Sequence, residues 1–350
     1  MDLADEREFL DHAKDPALLR RQVDTLGGQA LIVIDEVQRV PSLLNTVQSI
    51  VDRSRHRFIL TGSSARKLRR GGVNLLPGRI ILERLDPLSI LELAAPVDLD
   101  RALRLGMLPG IYWGADAATE ILGTYADVYL REEIQVEGAA RDIGGYARFL
   151  DIMAIVSGQW LNYSKLSSDV EMPKETIRRY VQVLEDTMVA VRIPAFIPTV
   201  RTTRRVLQRE RVFIFDVGVR NALLGVHRRP LGADQVGGVF EQWVVLQVVY
   251  LNRALRKGWQ LSSYRSEGGA EVDLVVDTPD GPIGIEIKAG RNVVAADARG
   301  LASLAELVRR PKSLRRWIIY RGDRRQRLPN DVEVWPVDSG LRALAELPPG

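Results

Sequence analysis

Residues 30–36 read A-L-I-V-I-D-E, an unbroken apolar run closed by two carboxylates, which is the pattern of a strand covered on both faces. A second run, R-F-I-L-T at 57–61, follows an amphipathic stretch in which Leu43, Leu44, Val47, Ile50 and Val51 recur at helical spacing. Strand, helix and strand in this order predict a parallel α/β sheet, which the apolar segment 79–85 would extend. Helical segments are expected from about 99 to 150.

From 149 to 193 the pattern changes to a helix, a short helix at 164–170, a turn at 171–173, a helix at 174–186 and the strand M-V-A-V-R-I. That order predicts a winged helix-turn-helix. On the 174–186 helix, Ile177, Tyr180, Val181 and Leu184 form the buried stripe. Lys174, Thr176, Arg178 and Arg179 face outward, where they are candidates for contact with DNA phosphates or bases. Beyond Phe240 come a helix, E-Q-W-V-V-L-Q-V-V-Y, strand-like runs at 260–265, 271–277 and 283–288, a helix at 295–308, and strands at 317–320 and 332–335. Asp280-Gly281 closes the second and third of these runs as a hairpin, giving an α-β-β-β-α-β unit.

A chain of 350 residues is too long for one average core, so two domains and a connector are expected. Its 46% hydrophobic and 27% charged residues suit a globular chain that folds. The absence of cysteine excludes disulfides, Cys-based zinc sites and thiol nucleophiles, so with three His any metal must rest mainly on carboxylates. The acidic N-terminus is unlike a signal peptide, and no apolar run approaches the ~18 residues of a membrane span; a cytoplasmic location without membrane contact is expected. The net charge is +4, with basic clusters at 66–70, 201–211 and 309–327. These suit a polyanion, but they are equally what an Arg-rich chain places on a solvated face.

Asp35 and Glu36 end the first strand. In a P-loop ATPase a buried strand delivers an Asp to magnesium and the next Glu to the attacking water at the carboxyl edge of the sheet. The next strand ends in Thr61-Gly62-Ser63-Ser64, making Ser63 or Ser64 a candidate sensor of the γ-phosphate. The segments L-I-V-I-D-E-V-Q, F-I-L-T-G-S-S-A, L-P-G-R and D-P-L-S-I-L-E-L together resemble a family of prokaryotic AAA-type ATPases with a C-terminal domain of unknown function, over nearly the whole chain. The resemblance implies ATP and magnesium as cofactors, Arg79 as an arginine acting on nucleotide phosphate, and a possible homo-oligomer. It also exposes a departure, because no G-x-x-x-x-G-K-[ST] occurs in the 350 residues. Family members carry that loop upstream of the Walker B strand, so an assigned start too far downstream is expected, with gene decay as the alternative. Nucleotide binding is expected to be impaired, and a neighbouring strand should be left with unpaired backbone groups and bare apolar faces.

The C-terminal order resembles the PD-(D/E)XK nucleases, which hold magnesium between an Asp on one strand of a hairpin and the acid of E-x-K on the next. The matching residues are Asp273 in E-V-D-L-V-V and Glu286 with Lys288 in I-E-I-K-A-G. The likeness implies Asp273 and Glu286 as metal ligands, helical Glu241 as an auxiliary acid and Lys288 as the activating group. Residues two apart on a strand share a face, so Glu286 and Lys288 point the same way. The expected architecture is therefore α/β: a truncated P-loop NTPase sheet at 1–95, a helical connector at 96–145, a winged helix at 146–196 and a restriction-endonuclease-like domain at 197–350. The expected function is an AAA-type ATP-binding protein coupling nucleotide state to a DNA-facing nuclease fold. The alternatives are a magnesium-dependent endonuclease with the ATPase half as scaffold, or a non-enzymatic DNA-binding or interaction protein.

Overall fold

The computed structural model describes residues 1–62, 80–114, 117–129, 142–198, 206–308 and 314–350. Contacts divide the chain into two compact units, residues 1–83 with 182–188, and residues 84–181 with 189–350.

In the first unit, helix α1 (Glu6–Lys14) starts at Asp5, whose carboxylate accepts the N–H groups of Arg7 and Glu8. Helix α2 (Leu18–Asp24), strand β1 (Leu31–Ile34), helix α3 (Leu43–Val51) and strand β2 (Arg57–Leu60) follow. The two strands run parallel, with Leu31 opposite Arg57 and Ile34 opposite Leu60. Paired residues share a face, so Ile32, Ile34, Phe58 and Leu60 look one way and Leu31, Val33 and Ile59 the other. The first set packs on Leu19 and Val23 of α2 and on Leu43, Leu44, Val47 and Ile50 of α3. The second set is bare, with Leu31 54%, Val33 45% and Ile59 47% exposed.

The expectation of a first strand covered on both faces is thereby corrected. Helices α2 and α3 supply apolar side chains to one face only, and the continuous run hid that asymmetry. The expected third strand is also not formed over 80–85, where Ile81 is 78% exposed and Leu85 101% exposed and no strand pairs with this run among the described residues.

The second unit opens with a segment that enters its own core. Leu88 and Ile90 are buried beside the long helix described below. Helices α4 (Leu99–Leu105), α5 (Pro109–Tyr112) and α6 (Ala118–Thr124) follow. Next come α7 (Ile143–Ile155), α8 (Tyr163–Val170) and α9 (Lys174–Asp186), then strands β3 (Ala190–Ile193) and β4 (Arg211–Ile214), paired antiparallel. The rings of Tyr146, Phe149 and Tyr180 lock α7 to α9 with centroids 5.1 to 5.7 Å apart. Asp216 caps α10 (Val217–Leu223) by accepting the N–H groups of Gly218 and Val219.

Helix α11 (Ala233–Ala254) leads to a six-stranded sheet made of β5 (Gln260–Arg265), β6 (Glu271–Thr278), β7 (Gly281–Lys288), β8 (Arg315–Tyr320), β9 (Gln326–Leu328) and β10 (Val332–Pro336), in the order β5-β6-β7-β8-β10-β9. The first three strands are antiparallel, β7, β8 and β10 are parallel, and β9 is an antiparallel edge. Helix α11 and helix α13 (Val337–Ala345) cover one face through Trp243, Val244, Leu274, Ile283, Ile285 and Leu341. The short helix α12 (Arg299–Ala305) covers the other through Leu301 and Leu304 against Val272, Val275 and Ile318. A side chain at Gly300 would place its Cβ 1.7 Å from the Glu271 carbonyl oxygen, so glycine lets α12 lie directly on β6.

Candidate functional site

At the carboxyl end of β1, Asp35 is exposed and Glu36 half-buried. The Asp35 Oδ1 accepts the Glu36 N–H at 3.0 Å and the hydroxyl of Thr61, which ends the neighbouring strand. Glu36 takes a left-handed backbone, φ +54°, unusual outside glycine, and its carboxylate accepts the side-chain amide of Gln38. The acidic pair thus stands at the carboxyl edge of a parallel pair of strands, with Thr61 and Gln38 as partners that the sequence pattern did not single out. Ser63, Ser64 and Arg79 lie outside the described residues.

The second group of acids is built by an irregularity in the sheet. Ser262 pairs with Val275 and Tyr264 with Val272, so β6 spends one residue more than β5 between these pairs. This β-bulge lies at Asp273-Leu274, and such an extra residue re-aims the side chains beside it. Leu274 stays on the α11 face of the sheet, while Val272 and Val275 lie on the α12 face. On the neighbouring strand Leu274 pairs with Ile285, which sets Asp273 across from Glu286. There the ladder opens: the Ile287 N–H donates to Asp273 Oδ2 at 2.7 Å instead of to a main-chain carbonyl. Lys288 Nζ lies 2.6 Å from Glu286 Oε1, while Glu286 Oε2 is buried with no hydrogen-bond partner. Asp273, Glu286 and Lys288 therefore meet at one end of the β6–β7 hairpin.

Glu241, on α11, pairs with Arg211 at the start of β4. Arg211 is 3% exposed, although the sequence groups it with a surface basic cluster. Its Nη1 donates to the Asp273 carbonyl at 3.1 Å and its Nε to the Gly158 carbonyl at 2.6 Å. Its guanidinium also lies 5.7 Å from the Trp160 ring, whose indole N–H donates to Glu271 at 2.6 Å. Neither Arg211 nor Trp160 stood out in the sequence; the one available signal was an arginine directly before the apolar run V-F-I.

Crowding of acids in a dry place shows in their protonation. Burial, then the charges of Glu241 and Glu286, raise the Asp273 carboxyl well above its ordinary range. Burial raises Glu286 to about 7 against the opposing pull of Lys288. Burial draws the Lys288 ammonium down, but Glu286 and Asp273 overbalance it and the net shift is upward. Among the described residues no three His, Cys, Asp or Glu side chains gather as a set that could hold a metal ion.

Lys174, Arg178 and Arg179 are exposed on α9 and Thr176 is half-buried, while Ile177, Tyr180 and Val181 are buried. Arg178 lies 3.6 Å from Glu175 and stacks over Tyr163, and Arg179 stacks over Tyr180. In the basic run toward 327, Arg321 pairs with Asp100, Arg325 with Glu333 and Arg327 with Asp331. Among the described residues no helix is long and apolar enough to cross a membrane.

Residues 1–94 match a family model described as an AAA domain. Residues 97–229 and 236–339 match two further models, each described as a domain of unknown function. Uncharacterized proteins of Mycobacterium tuberculosis and Mycobacterium bovis are each 28% identical over 346 residues, which is 94% of this chain and 74% of the relative. An uncharacterized protein of Haemophilus influenzae is 23% identical over 238 residues, 63% of this chain and 59% of its own length. No solved structure matches the chain. The match to an AAA domain covers 94 of the 350 residues.

Proposed function

We propose that this chain is an AAA-type relative whose second unit carries a PD-(D/E)XK-type nuclease fold turned toward DNA, coupled in the family to nucleotide state. The observation that carries the reading is the bulge that sets Asp273 across from Glu286, with Lys288 on the same strand as Glu286.

The first unit does not fit ATP by itself. The sequence holds no G-x-x-x-x-G-K-[ST], and Asp35 Oδ1 already serves Glu36 and Thr61, so no step is assigned to nucleotide. The second unit fits one hard divalent cation: two carboxylates stand on facing strands, and one buried Glu286 oxygen has no partner. Magnesium commonly takes one or two carboxylates and completes its shell with water and phosphate oxygens, so a third acid is not needed.

Asp273 and Glu286 would hold the ion, which when bound polarises a phosphate and lowers the pKa of a bound water. Lys288 would place its ammonium where negative charge grows on the phosphate. Lys174, Thr176, Arg178 and Arg179 offer a separate contact with a duplex. The test is relaxation of supercoiled plasmid by the full chain with magnesium, beside Lys288→Ala. Nicking that is lost in the variant and in EDTA supports the reading, and equal nicking by both proteins removes it. Salt-sensitive duplex binding without nicking would instead favour a non-enzymatic DNA-binding role.

A further inference from the structure

Arg211 joins four parts of the second unit with one side chain. Its Nε bonds the Gly158 carbonyl in the loop after α7, its Nη1 the Asp273 carbonyl on β6, and its Nη2 the Glu241 carboxylate on α11, while the residue itself opens β4. Phe213 and Trp160 flank the guanidinium at 5.0 and 5.7 Å. The three bonds leave from three different nitrogens of a rigid planar fork, whereas the three N–H groups of a lysine ammonium all sit on one atom.

We propose that Arg211 is a positioning residue that keeps Glu241 as its own counter-ion, out of the cation site, and fixes the main chain at Asp273. This rests on the cation reading above and narrows it to a one-ion site with two carboxylate ligands. A buried guanidinium stripped of its carboxylate is strongly unfavourable, so a metal ion recruiting Glu241 would have to break that pair first. Arg211 also ties the α7–α8 loop to the strand that carries Asp273.

The test is isothermal titration of the full chain with MnCl2. Glu241→Gln keeps the affinity of the unaltered protein, whereas Glu286→Gln weakens it by at least about tenfold. Arg211→Met frees Glu241 to enter the site, so adding Glu241→Gln lowers the affinity of Arg211→Met severalfold although the same change leaves the unaltered protein as it was. A loss in Glu241→Gln as large as that in Glu286→Gln makes Glu241 a ligand and overturns the proposal, while leaving the cation reading intact.

If the unaltered chain takes up no manganese, the cation reading falls, and the Arg211 clamp is judged by urea unfolding. Arg211→Met should then lower the unfolding midpoint, and Glu241→Gln in that background should restore part of it by removing the orphaned charge. Additive losses would refute the clamp. Should Arg211→Met not fold, Arg211→Lys carries the same two comparisons, with a smaller change in each.

Discussion

Glu286→Gln should stabilise the cation-free protein at alkaline pH. In the folded chain burial raises the Glu286 carboxyl from an ordinary 4.5 to about 7, so the folded state favours the protonated form. Stability from this group is complete below pH 4.5 and is lost as the pH rises through 7. The interval, at about 1.36 kcal/mol per pH unit, amounts to roughly 3 kcal/mol once the group is fully ionised. Glutamine mimics the protonated acid, so the two proteins should be equally stable near pH 4.5 and separate by about 3 kcal/mol above pH 8.

All six tryptophans, Trp113, Trp160, Trp243, Trp259, Trp317 and Trp335, lie in the second unit, so urea unfolding followed by their fluorescence in EDTA reports on the unit that contains Glu286. Magnesium should narrow the gap by stabilising the ionised unaltered protein. Superimposable stability curves from pH 5 to 8.5, or a variant less stable than its parent at pH 8.5, would refute the burial argument.

Three further outcomes follow from packing and capping. Gly300→Ala places a methyl against the Glu271 main chain, where no side chain can give way, and should cost more than about 2 kcal/mol in the same fluorescence assay. Asp216→Ala strands the N–H groups of Met107, Gly218 and Val219, which Asp216 accepts at 2.7 to 3.1 Å, and should cost about 2 to 3 kcal/mol; Asn at that position should recover part of the loss. On β1, Val33→Lys should change hydrogen-exchange protection of the first unit little, whereas Ile34→Lys, one residue further and fully buried, should abolish it.

Periodicity sufficed where an element had a clear inside and outside. Helix α9 showed its stripe of Ile177, Tyr180 and Val181, and the hairpin of β6 and β7 forms, but its turn is Pro279-Asp280, one position before the expected Asp280-Gly281, with Gly281 already paired to Thr278. It failed where an apolar run gave no contrast. The stretch A-L-I-V-I looks the same whether one face or two are covered, and only the placement of α2 and α3 decides. The three-residue strand β9 is too short to have a period at all. Asp273, Glu286 and Lys288 were named from their order in the chain, but the bulge that re-aims Asp273 has no signature in E-V-D-L-V-V. Arg211 was invisible for a different reason: a buried cation is recognised by the acids around it, and those lie 30 and 62 positions away.

Gln247 on α11 lends its side-chain amide as if it were a neighbouring strand, giving an N–H to the Leu88 carbonyl and taking one from the Ile90 amide at 3.1 and 2.9 Å. The tether from the first unit is therefore sewn into the second. A fragment meant to carry the second unit alone has to start before Asp86. Trimmed at 96, it would leave a polar amide and a greasy slot open to water on its longest helix, and it should misbehave for that reason alone.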